Sequence, residues 1–318
     1  MEKDLKKALV LLNMGAPRDL DEVGVFLKNM FNDKNIITTK SALLRKFIAF
    51  MIVLTRSKEA KNNYKHLGSK SPLLKHTDNL INKLKDHFDE YLISSIMRYT
   101  PPFAIDELKW LKAKKVEEIV LFPLYPQYST TTTKSSFEDF YLSCKEIDYH
   151  PKIVEIKNFY DNRLYNQAII ENIKKTLENK DANEFDLIFS AHSLPQKIVD
   201  SGDPYQKETL INIDILENML KEEGINFNKI HLAYQSKLGP IKWLEPSLES
   251  KLKELLNKRV VIYPISFILD NSETEFELDI EYRELANELG YEEYLVSKCL
   301  NDSDLFIKAM QDIINKAT

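Results

Sequence analysis

Eight short apolar runs, at 8–13, 92–97, 118–123, 152–156, 186–190, 229–234, 259–265 and 294–297, alternate with longer amphipathic stretches such as DNLINKLKDHFDEYL and QAIIENIKKTLENK. Strand followed by helix, repeated, predicts parallel sheet, because parallel neighbours can be joined only through a crossover of about a dozen residues or more. The pattern also repeats in order. LLNMGAP, IMRYTPP and IVLFPLYPQYS in the first half are answered by LIFSAHSLP, LAYQSKLGP and VVIYPISFILDNSE in the second. The expectation is an α/β chain of two similar units meeting near residue 165, each a parallel sheet flanked by helices.

Composition removes several classes of function. With a net charge of −5 and no cluster of Lys and Arg interleaved with aromatics, the footprint of a nucleic-acid binder is missing. No G-x-G-x-x-G and no G-x-x-x-x-G-K-[ST] occurs, so dinucleotides and ATP are disfavoured as cofactors despite the Rossmann-like alternation. Cys144 and Cys299 stand far apart and form neither a disulfide framework nor a structural zinc site. The lysines and apolar run of MEKDLKKALVLLNMG continue into a first strand rather than a cleavage site, which points to the cytoplasm. The run from Phe47 to Leu54 in RKFIAFMIVLTR is far short of a membrane span. It reads either as a buried helix or as an exposed apolar lip whose basic flanks suit a membrane surface.

Ligands of open α/β sheets bind outside the carboxyl ends of the strands. That rule selects Asn13 and Met14; Arg98 and Tyr99; Tyr125, Gln127, Tyr128, Ser129 and Thr130–Thr133; His192 and Ser193; Gln235, Ser236 and Lys237; and Asp270 through Glu281. Five histidines, His66, His76, His87, His150 and His231, lie in helical or edge contexts that suit surface or structural roles. His192 differs, because it follows the apolar run DLIFSA and precedes a Ser-Leu-Pro turn. An imidazole there can take up a proton near neutrality or ligate a metal. Ser193 adjoins it, but adjacent residues at a strand end point apart and no G-x-S-x-G is present, so a hydrolase triad is disfavoured.

In NSETEFELDIEY, carboxylates occupy every second position from Glu273 through Glu275, Glu277, Asp279 and Glu281. On an α-helix Glu273, Glu277 and Glu281 would share one face and repel one another. The helix macrodipole accounts for acids in the first turn but fades beyond it. A solvated face would tolerate all of them; a ladder of carboxylates about 5.4 Å apart would pass on protons or a divalent cation.

The ordered set LLNMGAP, Tyr64 followed by GSKSPL, MRY at Met97–Tyr99, FPLYPQYSTTTTKSS, FSAHSLPQKIVDSGDPY, YQSKLGPIKWLEP, PISFILDNSETEFELDIEYREL and SKCLNDSDLFIKA resembles the ferrochelatase family over nearly the whole chain. The resemblance implies a chelatase-like fold of two Rossmann-like units, residues 1–163 with 304–318 carrying the lip and residues 164–303 carrying the site. It implies insertion of Fe2+ into protoporphyrin IX, the terminal step of haem synthesis. His192 matches the family's proton-accepting or metal-ligating histidine, and Glu273 its acidic partner. Glu277 and Glu281 match the acidic path leading away. Met14 takes the place of the residue beneath the macrocycle, Arg98 and Tyr99 match pocket residues, and Trp243 matches an aromatic near the porphyrin. Phe26, Leu27, Phe31 and Phe47 would add apolar walls, Tyr125, Gln127 and Ser129 polar contacts, and Arg45 and Arg56 would meet the propionates.

Departures from the family pattern also carry expectations. Asn271 stands where a second histidine is common beside the glutamate, which puts more of the work on His192 and Glu273. Two isolated cysteines cannot supply the four thiolates of a [2Fe–2S] cluster, so no iron–sulfur centre and no tightly bound cofactor is expected, with Fe2+ a substrate. The expected partners are the porphyrin and ferrous iron, with peripheral contact to a membrane or to the preceding oxidase of the pathway. Coproporphyrin as substrate, a non-catalytic porphyrin carrier and a cobalt chelatase are the alternatives.

Overall fold

A computed structural model describes residues 5–318. The chain divides into two compact units, one running to Asn158 and including Ile313–Thr318, the other Phe159–Asp312. These boundaries differ from the expected 163/164 and 303/304. The segment before the first helix of the second unit is tied to that unit: Phe159 packs edge-on to Tyr165 at 5.2 Å. The Asn166 and Asn212 side-chain amides both donate to the Tyr160 carbonyl at 2.8 Å, and Asn162 donates to Asp312 at 2.7 Å.

The first unit contains β1 (Lys7–Asn13), α1 (Glu22–Asn32), α2 (Ala42–His66), α3 (Leu73–Lys85), β2 (Tyr91–Met97), α4 (Ala104–Ala113), β3 (Glu118–Pro123), α5 (Ser135–Glu146) and β4 (Lys152–Glu155). Its four strands pair in parallel in the order β2-β1-β3-β4. The central strand is apolar on both faces, as a sheet covered by helices on both sides requires. Ala8, Val10 and Leu12 pack against Leu108 and Leu111 of α4 and Phe137 and Phe140 of α5. At the carboxyl end of β1, Gly15 adopts φ +83°, and a Cβ there would lie 2.3 Å from Thr100 Oγ1. Only glycine fits so close an approach with that backbone.

The second unit contains α6 (Arg163–Leu177), β5 (Asp186–His192), α7 (Gln196–Asp200), α8 (Tyr205–Glu222), β6 (Lys229–Gln235), α9 (Leu248–Glu254), β7 (Arg259–Pro264), α10 (Tyr282–Glu288), β8 (Glu293–Val296) and α11 (Asp304–Ala317), the last helix ending in the first unit's share. Its sheet runs β6-β5-β7-β8, again all parallel. The first, second, third and fourth strands of each unit therefore occupy the same places. One side of the sheet is closed by Leu248 and Leu252 of α9 and by Leu278 and Ala286 against Ile188, Val260 and Ile262.

Helix α2 carries the apolar run, and its Ser41 cap accepts the Leu44 amide at 3.3 Å. The buried-helix reading fails for this run. Phe47 and Phe50 are each 61% exposed and Leu54 66%, with Leu43, Leu44 and Met51 also open to solvent. Among the described residues no helix is long and apolar enough to cross a membrane.

Candidate active site

Three strands of the second unit deliver their carboxyl ends to one place. β5 ends at His192, β6 runs into Ser236, and the chain leaving β7 enters a π-helical segment at Glu273. His192 Nδ1 lies 2.8 Å from Glu273 Oε2. Ser236 Oγ donates to the same oxygen at 2.7 Å and also contacts Glu277 Oε2, while its amide donates to Glu277 Oε1 at 2.7 Å. Ser236 adopts φ +64° to turn both groups toward the acids. Gln235 holds Glu277 from behind through Nε2 at 3.4 Å, its side-chain Oε1 accepting Ser190 Oγ at 2.7 Å. Phe267 meets the His192 ring edge-on at 6.3 Å.

The acidic row is not α-helical as the spacing suggested. Glu273–Glu281 is a π-helix, closed by the Tyr282 amide bonding to the Glu277 carbonyl five residues back. Such wide turns are uncommon and concentrate at functional sites. Asn271 starts the segment, accepting the Glu273 amide at 2.8 Å and donating to the Leu269 carbonyl at 3.0 Å. In the position where a second histidine was considered, the side chain is thus spent on holding Glu273. The row itself divides: Glu273 and Glu277 face His192, Glu275 pairs with Lys298 at 3.6 Å, and Asp279 is held by Arg283. Glu281 lies at the exposed end of the segment.

Electrostatics separates the three groups. Burial disfavours the His192 imidazolium, but the Glu273 charge and hydrogen bond outweigh it, aided by Glu277, and the pKa is raised. Glu273 is opposed by burial too, yet His192 and the Ser236 hydroxyl hold it below its ordinary value. Glu277 meets burial and the Glu273 charge together and is pushed up to about 7, against the bonds from Ser236. A carboxyl poised there exchanges protons at neutral pH. When the ring is neutral and Glu273 ionised, Nδ1 of His192 carries the hydrogen and Nε2 presents its lone pair. The His192 and Glu273 side chains remain 38% and 30% accessible, so a ligand can reach them.

Trp243 belongs to the same unit. It bridges to Pro195 in the loop after His192, and its Nε1 donates to the Leu238 carbonyl at 3.1 Å. His231 instead pairs with buried Asp186 at 2.9 Å at the other end of the sheet, a structural role.

In the first unit the selected residues assemble around an acid that sequence reasoning missed. Asp33, buried just past α1, accepts Arg98 Nη2 and the Tyr99 hydroxyl, each at 3.0 Å, and contacts Ser135 Oγ. Arg98 also bonds Ser135 at 2.9 Å, lies 3.4 Å from Asp139 and stacks on the Tyr99 ring. Tyr99 is fully buried, and Phe26 meets it edge-on at 6.3 Å. Leu27 and Phe31 are buried on α1, so they support this wall from within. Met14 stays half-buried beyond β1, its carbonyl accepting the Tyr99 amide at 2.9 Å. Tyr125 and Gln127 are buried, and Ser129 caps a short π-helix, Thr130–Lys134. Arg45 bonds the Asn32 carbonyl at 3.0 Å and closes the end of α1. An aspartate after an amphipathic helix reads as a turn residue, and nothing local announces that Arg98 will reach it. Asp33→Ala is expected to cost on the order of 2–3 kcal/mol, the scale of hydrogen bonds to charged groups; an unchanged denaturant midpoint would show that the network contributes nothing.

Two four-stranded parallel sheets, each flanked by helices, make this a chelatase-like α/β fold. SirB from Bacillus subtilis with Fe3+ superposes with a TM-score of 0.59 over 98% of this chain and 96% of that one, at 11% identity. CbiX, the terminal enzyme for biosynthesis of siroheme in denitrifying bacteria, gives 0.55 over 98% and 99%, also at 11%. These likenesses concern the fold. The ferrochelatase family profile matches residues 6–318. Ferrochelatases of a Nitratiruptor species and of Sulfurimonas denitrificans are 55% and 53% identical, covering 98% of this chain and 99% of each relative. The chain belongs to the ferrochelatase family: it is a lyase, a metal chelatase of haem biosynthesis that acts on a porphyrin and ferrous iron.

Proposed function

We propose that the chain inserts Fe2+ into protoporphyrin IX with release of the two pyrrole protons, with His192 Nε2 as the first acceptor. The observation that carries this reading is the 2.8 Å contact between His192 Nδ1 and Glu273, which orients the ring and stabilises the imidazolium that forms. Glu273 then shares the proton through Ser236 with Glu277, and Glu277 with Glu281 leads it outward. His192 and Glu273 are also the metal-facing donors, an imidazole and a carboxylate that together suit Fe2+. On the first unit Met14, Phe26 and Arg98, each partly open, are the candidates for porphyrin contact, with Tyr99, Leu27 and Phe31 supporting them from the core.

Preference for protoporphyrin rests on the exposed lip of α2. Protoporphyrin carries two carboxylates and two vinyl groups, whereas coproporphyrin carries four carboxylates and is harder to desolvate against leucine and phenylalanine. In an anaerobic competition for Fe2+, protoporphyrin should be consumed first; equal or faster use of coproporphyrin would overturn the preference. A spectrum that shows porphyrin bound but never metallated would instead make the protein a carrier.

No resident cofactor is required. Cys144 and Cys299 are both buried, one in each unit, and burial pushes both thiols up, away from the thiolate that a cluster needs. The enzyme works in the cytoplasm and touches a membrane surface, or the oxidase that supplies the porphyrin, through Phe47, Phe50 and Leu54. Phe50→Asp should abolish sedimentation with anionic lipid vesicles while leaving the melting temperature near wild type, since a surface substitution of this kind perturbs the fold little. Sedimentation equal to wild type would exclude the lip from that contact.

A further inference from the structure

We propose that Tyr205 and Ser266 are positioning residues that lock the main chain of His192 and thereby aim its imidazole. The inference rests on the reading of His192 as proton acceptor. On the β6 side the strand ladder runs past the histidine, with the Ser193 amide bonded to the Gln235 carbonyl at 2.9 Å. On the β7 side it stops early. Pairing ends at Ser190 with Pro264, the Ile265 amide making the last bond at 3.0 Å, after which Phe267 folds back on Pro264.

The next rung would have used the N–H and C=O of His192, and two side chains supply it instead. The His192 amide donates to Ser266 Oγ at 3.1 Å, and the Tyr205 hydroxyl donates to the His192 carbonyl at 2.8 Å. Ser266 and Tyr205 lie 2.6 Å apart. Because the single Tyr205 hydrogen goes to the carbonyl, Ser266 must donate to Tyr205. The result is a closed ring: His192 N–H to Ser266, Ser266 to Tyr205, Tyr205 to His192 C=O.

Tyr205 is itself fixed. It is buried as the first residue of α8, its amide bonded to Asp203 at 3.0 Å and its carbonyl accepting Thr209 Oγ1 at 2.8 Å. A buried strand end with neither polar group satisfied would shift. A shift of 1 Å at a reacting group costs about a hundredfold in rate.

The test measures metallation kinetics and porphyrin binding for Tyr205→Phe, Ser266→Ala, Ser266→Thr and His192→Ala in the full chain. Tyr205→Phe and Ser266→Ala are expected to lower kcat by about ten- to a hundredfold, with KM for porphyrin within twofold. Ser266→Thr, which keeps the hydroxyl, should retain most of the rate. A purely structural role would lower the active fraction without that rescue. If His192→Ala is inactive while Tyr205→Phe and Ser266→Ala turn over at the wild-type kcat, or if threonine does no better than alanine at 266, the positioning role is wrong. If His192→Ala itself stays active, the assignment of His192 fails instead.

Discussion

His192→Ala is expected to bind porphyrin with an unchanged absorption spectrum and affinity while metal insertion falls by about 10²–10⁴-fold, the usual contribution of a positioned proton acceptor. The fold should survive the change. The side chain is 38% accessible, and the main-chain bonds of residue 192 do not involve the imidazole. Stopped-flow absorption with Zn2+ as a surrogate metal reads the rate directly, and a thermal melt of the same sample checks the fold. Removal of the imidazole also takes away the larger of the two influences that hold Glu273 below its ordinary value, leaving the Ser236 hydroxyl. A variant that metallates within a few fold of wild type would exclude His192 from the proton-accepting step.

Glu277→Gln is expected to separate activity from stability. Both His192 and Glu277 must lose a proton before they can receive one, so the rate should climb with pH, through about 7 for Glu277, and level off above it. Glutamine copies the shape and hydrogen bonding of the protonated acid but carries no proton onward. The rate should fall about ten- to a hundredfold, and the limb near pH 7 should flatten. Stability moves the other way. The folded-state pKa of Glu277 lies above its unfolded value, so its protonated form favours folding at low pH, and that stability is lost as pH rises through about 7. Glutamine cannot ionise and escapes the loss. The variant should melt near wild type at pH 5 and above it at pH 8. A normal rate with an intact pH profile would exclude Glu277 from the proton path.

Much of the scaffold was readable because it is written in local periodicity. Every apolar run became a strand within two residues of its expected limits, and the matched order of loops in the two halves corresponds to two sheets of identical strand order. Strands buried on both faces need continuous apolar runs, and parallel pairing needs helices between them, so both requirements leave marks on short stretches of sequence. The position of His192 at a carboxyl edge followed from the same logic. The 25-residue α2 was less determinate, since a run of eight apolar residues looks alike whether it is buried or exposed.

The unread parts share one character: they depend on residues distant in sequence arriving at the same point. Asp33 gathers Arg98, Tyr99 and Ser135 from across more than sixty residues, and Tyr205 reaches back to His192 from α8, beyond the intervening α7. The wide turn at Glu273–Glu281 was also invisible, because alternating acids fit several helix types, and Thr274, Phe276 and Leu278 are its buried side. Sequence by itself determined two parallel-sheet units and the candidates at their strand ends. Tertiary structure alone decided which acids meet the imidazole and what pKa each acquires, because charge interactions and desolvation depend on distance in space rather than on order along the chain.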